Sequence, residues 1–271
     1  MNTWVAPNLT DGLGNRLFQI AAVCKVSEKT GKKPTFFLPR ITRLSHGNFD
    51  LLRVLCPHIP FTLTEKSWTD VKEDSYTKAF DISGCVVLKG YFQNLKFFPS
   101  WHNLYMPSIP PALMKYPIQS VAVHFRFGDY CLLKHHQVDL QSYYYQAIHR
   151  YPKGTHLTLF SDEPNKLVDI CNEISSWGYL VDVCKESDVL ETILTFSSCC
   201  LGAICSNSTF AWWCGFLSKE ICSDTYKMYI PDKWLSVEDF TPVLYGEEYP
   251  FIDVIDVLEE SSELLNSFTY Q

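Results

Sequence analysis

The sequence contains no run of about eighteen consecutive apolar residues, the length a membrane-spanning helix needs, so no membrane span is expected. Its opening, MNTWVAPNLTDG, has neither a basic leader region nor an apolar one, and no signal peptide is read there. Positive charge is not in excess. The formal net charge of −7 removes any general attraction to nucleic acid or to an anionic membrane. No Cys-x-x-Cys pair and no Cys/His zinc-finger spacing occurs, nor any Asp-x-Asp pair of the kind that bridges a metal to a diphosphate. The eleven cysteines are odd in number and mostly lie inside apolar runs, as at Cys24, Cys85, Cys171, Cys184 and Cys205. Free thiols packed as small apolar groups in a reducing compartment fit that pattern, and a cytoplasmic location is expected. Without a secretory signal, the sequon matches at Asn8-Leu9-Thr10 and Asn207-Ser208-Thr209 are read as coincidence.

What the chain does have is apolar material. Its 271 residues are 46% apolar and 15% aromatic, enough for one large or two medium domains with real cores. The most informative stretch is Gln119 to Tyr130, QSVAVHFRFGDY. An apolar run, Val121-Ala122-Val123, reads as a buried parallel strand and leads into His124, Arg126 and Asp129. In open α/β sheets, ligands bind at the C-terminal ends of strands. A guanidinium there can grip a phosphate through two parallel hydrogen bonds, although an Arg and an Asp three residues apart also make an ordinary structural ion pair.

Along the chain, Thr3–Pro7 reads as a strand and Asp11–Gly14 as a turn. A helix opening at Asn15 carries Leu17, Ile20, Ala21 and Cys24 on one face, and Pro34–Pro39 reads as the next strand. Gly12 and Gly14 do not complete the dinucleotide fingerprint, because Leu17 stands where the third glycine belongs. They serve either a tight turn or the close approach of a sugar or phosphate to the backbone. Residues 41–80 read as irregular. Cys85–Phe92 is a strand, Asn94–Phe98 a short helix, and the proline-bearing stretch from Pro99 to Pro117 a linker. That divides the chain into domains of residues 1–116 and 117–271.

Strands at Val121–Arg126, His156–Ser161, Tyr179–Cys184 and Leu201–Cys205 alternate with helices at Leu140–Tyr151, Pro164–Trp177, Val189–Cys199 and Ser208–Leu217. That alternation means a parallel sheet with crossover helices. The acidic tail from Val254 to Phe268 is expected to close the domain as a helix. Three strand ends carry polar groups. The first holds His124, Arg126 and Asp129. The second holds Ser161-Asp162, whose carboxylate either caps the next helix or is free to accept hydrogen bonds from a base such as guanine. The third is Ser206-Asn207-Ser208-Thr209, a helix start that either caps itself or holds an anion. Their convergence points to a nucleotide diphosphate.

With those residues laid out, the chain resembles the α-1,2-fucosyltransferases of glycosyltransferase family 11. Gly12-Leu13-Gly14-Asn15-Arg16-Leu17-Phe18-Gln19 resembles the family's GLGNQLFQ, and Gly90-Tyr91-Phe92-Gln93 with Lys96-Phe97-Phe98 resembles its GYFQ and KYF. His124-x-Arg126-x-Gly128-Asp129-Tyr130 resembles HxRRGDY, Phe160-Ser161-Asp162-Glu163-Pro164 resembles FSDDP, and Asn207-Ser208-Thr209-Phe210-Ala211-Trp212-Trp213 resembles NSTFSWW. The resemblance implies an α/β, GT-B-like fold, two Rossmann-like domains facing each other across a cleft. It implies transfer of L-fucose from GDP-fucose to a glycan acceptor, the 2-hydroxyl of a galactose, with inversion and with neither cofactor nor metal.

By position, Arg126 would bind the β-phosphate with Ser208 and Thr209 assisting, and Asp162 would read the guanine. His124 and Asn207 would join them in the donor site, with Gly12, Gly14 and Asn15 near the fucose and acceptor. Asp11, just before the glycine turn, is the candidate base for the attacking hydroxyl. Trp212 and Trp213 are read as packing, and His135-His136 as surface residues. Two departures stand out: Phe127 replaces the family's second Arg, and Cys214-Gly215 follows the Trp pair. A membrane anchor like that of animal relatives is not seen, as in bacterial or viral members. Rival readings are a transferase of another GDP-linked sugar or linkage, and a non-catalytic glycan- or nucleotide-binding relative. A Rossmann dehydrogenase fits poorly without the third glycine.

Overall fold

The computed structural model describes residues 3–37, 49–63, 67–100, 103–236 and 242–258. The chain falls into two compact units, Met1–Pro111 and Ala112–Gln271, each with its own core. Every strand pair among the described residues is parallel, so the fold is α/β with crossover connections.

The first unit runs β1 (Trp4–Pro7), α1 (Leu13–Thr30), β2 (Lys33–Pro34), β3 (Phe36–Phe37), α2 (Phe49–Leu55), β4 (Phe61–Thr62), β5 (Trp68–Lys72), α3 (Lys78–Asp81) and β6 (Cys85–Lys89). Its main sheet has the order β2-β1-β6-β5. Helix α1 begins two residues before the expected Asn15, because Gly12 already holds the extended cap geometry (φ −72, ψ 168). It ends at Gly31, whose φ of 70 suits a residue without Cβ. The expected strand from Pro34 is broken at Thr35, which leaves the β1 sheet. Its N–H donates to Val5 O, while its hydroxyl donates to Pro60 O beside β4. Of the stretch 41–80, residues 41–48 and 64–66 lie outside the described ones; the rest includes β5, a strand the sequence reading missed. Strand β6 stops at Lys89 rather than Phe92. Beyond it, Glu73 Oε2 accepts the N–H groups of Tyr91 (2.8 Å) and Phe92 (2.9 Å), pulling the chain out of the ladder.

The second unit continues with β7 (Val121–Phe125), α4 (Gln141–Ile148), β8 (His156–Ser161), α5 (Leu167–Ser176), β9 (Leu180–Val183), α6 (Val189–Ser198), β10 (Gly202–Ile204), α7 (Thr209–Ser218), β11 (Lys227–Pro231) and β12 (Ile252–Ile255). Its sheet order is β12-β11-β10-β7-β8-β9. The chain fills one side from β7 outward, then returns to β10 and fills the other, which is the doubly wound Rossmann arrangement. Strand β7 is fully buried, as its apolar run requires. Helix α7 lies close against the sheet: a Cβ on Gly215 would come within 2.9 Å of Met228 Sδ and 3.1 Å of Cys205 Sγ. Trp212 and Trp213 are buried beside Phe216, so both are packing residues as expected. The tail requires a correction. Residues 252–255 are a strand rather than the start of a helix, because pairing with β11 satisfies their backbone and buries Ile252 and Ile255. The rest of that expected helix, through Phe268, lies among residues 259–271, which are outside the described ones.

Candidate functional site

Strands β7 and β10 are neighbours, paired from Val121↔Gly202 to Val123↔Ile204, and the chain winds away from them in opposite directions. Ligand crevices of open α/β sheets form at such a point, outside the strands' C-terminal ends. The polar residues after β7 and β10 therefore emerge side by side. His124 Nδ1 lies 2.9 Å from Ser206 Oγ, tying the two ends together. Burial, with help from the Arg126 charge, pushes the His124 pKa down to about 3, so the ring is neutral. At 4% exposed it has an internal partner rather than an open face, which makes it a brace for the site.

Arg126 is half-buried at the mouth of β7. Its Nη2 lies 2.6 Å from Asp129 Oδ1 and its Nη1 lies 3.0 Å from Asp162 Oδ2. The guanidinium also sits over the Tyr130 ring, 5.3 Å from the centroid. Asp162 was expected either to cap the next helix or to stay free for a base. It does neither. Its second oxygen accepts the Phe127 N–H at 3.0 Å, and the turn beginning at Pro164 has no side-chain cap. Gly128 has to be small here, since a Cβ on it would collide with the Asp162 carboxylate. A guanidinium carries five N–H groups, so Arg126 keeps donors to spare; a diphosphate would compete with two carboxylates for it.

Phe127, in place of the resembled family's second Arg, is buried and stacked on Phe125 (6.4 Å, 7°). A cation is nevertheless at hand: Lys166 Nζ lies 5.5 Å from the Phe127 ring centre, paired with Glu163 at 3.0 Å. At the third strand end Ser208 takes the extended N-cap geometry of α7, but its side chain makes no capping bond, and Thr209 begins the helix. Asn207 is fully buried, its Nδ2 donating to Trp234 O at 2.9 Å and His136 O at 3.2 Å. Sequence reasoning missed Tyr130 and His136. Their rings stack at 4.3 Å, and the Tyr130 hydroxyl donates to Asn207 O at 3.2 Å. The adjacent histidines thus differ: His135 is exposed, whereas His136 belongs to this cluster.

The first unit gathers its own residues at the ends of β1 and β6. Asp11 sits at φ 57, a conformation Asp tolerates better than most side chains, and its charge adds to burial in raising the pKa of the Tyr91 hydroxyl. Gly12 caps α1 and Gly14 is buried in its first turn. Asn15 Oδ1 accepts from Gln93 Nε2 at 2.9 Å. Gln19, fully buried, accepts the Thr10 N–H (3.1 Å) and donates to Thr10 Oγ1 (2.8 Å) and Gly90 O (3.1 Å). Arg16 is buried too. Desolvation lowers its pKa and the Asp11 carboxylate opposes the shift.

The structure thus brings Asp11, Gly12, Gly14 and Asn15 together in one unit and His124, Arg126, Asp162, Asn207, Ser208 and Thr209 in the other. No group of three His, Cys, Asp or Glu side chains able to hold a metal occurs among the described residues. No family model matches the chain, and neither does any curated protein. Among solved structures, a mutant form of Arabidopsis thaliana FUT1 in complex with GDP is similar at 13% identity and a TM-score of 0.47. The match covers 85% of this chain and 70% of that one. So distant a likeness transfers no chemistry, and the reading below rests on the chain's own residues. No helix among the described residues is long and apolar enough to cross a membrane.

Proposed function

We propose that the chain is a GDP-sugar glycosyltransferase of GT-B type, moving L-fucose from GDP-fucose to a glycan hydroxyl, the 2-hydroxyl of a galactose, with inversion and without a metal. One observation carries this reading: Arg126, within the His124-x-Arg126-x-Gly128-Asp129-Tyr130 motif, stands where the β7–β10 sheet changes direction, beside the uncapped start of α7. In the proposed step, the acceptor oxygen forms a bond to the fucose anomeric carbon as that carbon's bond to the phosphate oxygen breaks. The hydroxyl proton passes to Asp11, and the charge gathering on GDP is met by Arg126 and the α7 N-terminus. Asp162 exchanges its Arg126 contact for the donor, keeping the Phe127 N–H.

Calorimetric titration with GDP, UDP and NAD in the presence of a chelator tests the reading. GDP alone should bind, at micromolar strength or better. Binding of UDP, dependence on added metal, or no nucleotide binding would overturn it. The Phe127 position favours one alternative, a transferase of another GDP-linked sugar or linkage, and turnover with a panel of GDP-sugars separates the two.

A further inference from the structure

Two polar atoms lack a partner among the described residues where the loop after β7 meets the start of α7: His136 Nδ1 in the β7–α4 loop and Asn207 Oδ1 between β10 and α7, both screened from solvent. They belong to residues in direct contact, since Asn207 Nδ2 donates to His136 O. Asn207 commits its amide nitrogen to two carbonyls, His136 O and Trp234 O, which can only accept. That fixes the amide's orientation and leaves Oδ1 needing a donor. A phosphate or carboxylate oxygen cannot supply one. The His136 pKa is lowered, first by burial, then by the neighbouring His135; Arg126 acts the same way and Asp129 opposes. A neutral imidazole nitrogen can accept or donate. A hydroxyl is the group that suits both atoms, because it donates one hydrogen bond and accepts others. The backbone presenting them is fixed, with Ser236 N–H donating to His135 O (2.9 Å) and Ser236 Oγ to Lys134 O (2.9 Å).

We propose that His136 and Asn207 form a binding site for a sugar hydroxyl of the nucleotide-sugar whose phosphates meet Arg126, opened by rotation of the imidazole away from Tyr130. The proposal rests on the function argued above. The hydroxyl belongs either to the ribose or to the transferred sugar, and the test distinguishes them.

GDP, its 2′-deoxy and 3′-deoxy analogues, and GDP-fucose are titrated against the wild-type protein, His136→Ala and Arg126→Ala, with the melting temperature of each variant recorded. If the ribose is the source, wild type should bind one deoxy analogue about tenfold more weakly than GDP, the scale of one hydrogen bond. His136→Ala should bind GDP about as weakly and lose the discrimination. If the transferred sugar is the source, His136→Ala should instead weaken GDP-fucose about tenfold while leaving GDP alone. Arg126→Ala should weaken every ligand, by about 10–100-fold, and keep the ratios. A His136→Ala protein that binds all four ligands as wild type does would overturn the inference while leaving the function standing. Failure of wild type to bind GDP would overturn both.

Discussion

At the ends of β1 and β6, neutral amides answer one another and the backbone: Gln19 holds Thr10 and Gly90, and Gln93 holds Asn15. At the end of β7 the partners are charged, with Arg126 between Asp129 and Asp162. The consequences differ. Gln19 is fully buried, so its amide has no solvent to fall back on and depends on Thr10 and Gly90 for its hydrogen bonds. An ion pair that is partly exposed is worth little in itself, so an incoming anion can take over its cation at small cost. The first cluster is built to hold a turn in place, and the second to exchange partners.

The largest expected effect would sharpen that contrast by finding chemistry within the scaffold-like cluster. Asp11→Asn should lower turnover by about 10²–10⁴-fold, the range of a general base, while leaving GDP affinity unchanged. Near-normal turnover would remove Asp11 from the role and leave the first unit's cluster purely architectural.

Acid should act next, through the buried His124 in the second unit. Its folded pKa, about 3, lies below the usual value of 6.5, so the unfolded chain binds the proton more readily between those limits. Its contribution is fully present above pH 6.5 and is lost as pH falls toward 3, by up to about 1.4 kcal/mol per unit. His124→Asn keeps an atom able to bond Ser206 but does not titrate. Urea unfolding across that window should show wild type losing stability relative to the variant as pH falls; parallel curves would contradict the brace.

The smallest effect tests the scaffold directly. Gln19→Ala should cost about 1–3 kcal/mol of stability by removing the buried amide that ties Thr10 to Gly90, yet leave GDP affinity alone. A large fall in affinity with unchanged unfolding would reverse the assignment of roles.

Much of the second unit was legible because its strands are apolar runs bounded by polar ends. His156–Ser161 matches its expected span, and β7 ends within one residue of it. Strands β11 and β12 escaped notice, since KMYIP and IDVI are short, carry charge, and become strands only by pairing with a neighbour already formed. The site residues were legible one motif at a time, but not their partnerships. Nothing local tells that Asp162 will meet Arg126 and the Phe127 N–H, 36 and 35 residues back along the chain, instead of capping its own turn. His136 was hidden for a similar reason: beside an exposed His135 it looks like surface, until Tyr130 and Asn207 close around it.

The adjacency of β7 and β10 bears on when the protein becomes competent. The two strands that frame the crevice are Val121–Phe125 and Gly202–Ile204, with β8, β9 and three helices made between them. During synthesis β7 must therefore wait, its β10 edge unpaired, while the intervening chain folds on its other side. The proposed nucleotide site can form on the nascent chain only after residues 202–208 have emerged, so a ligand bound there would favour chains in which β7 and β10 have already paired.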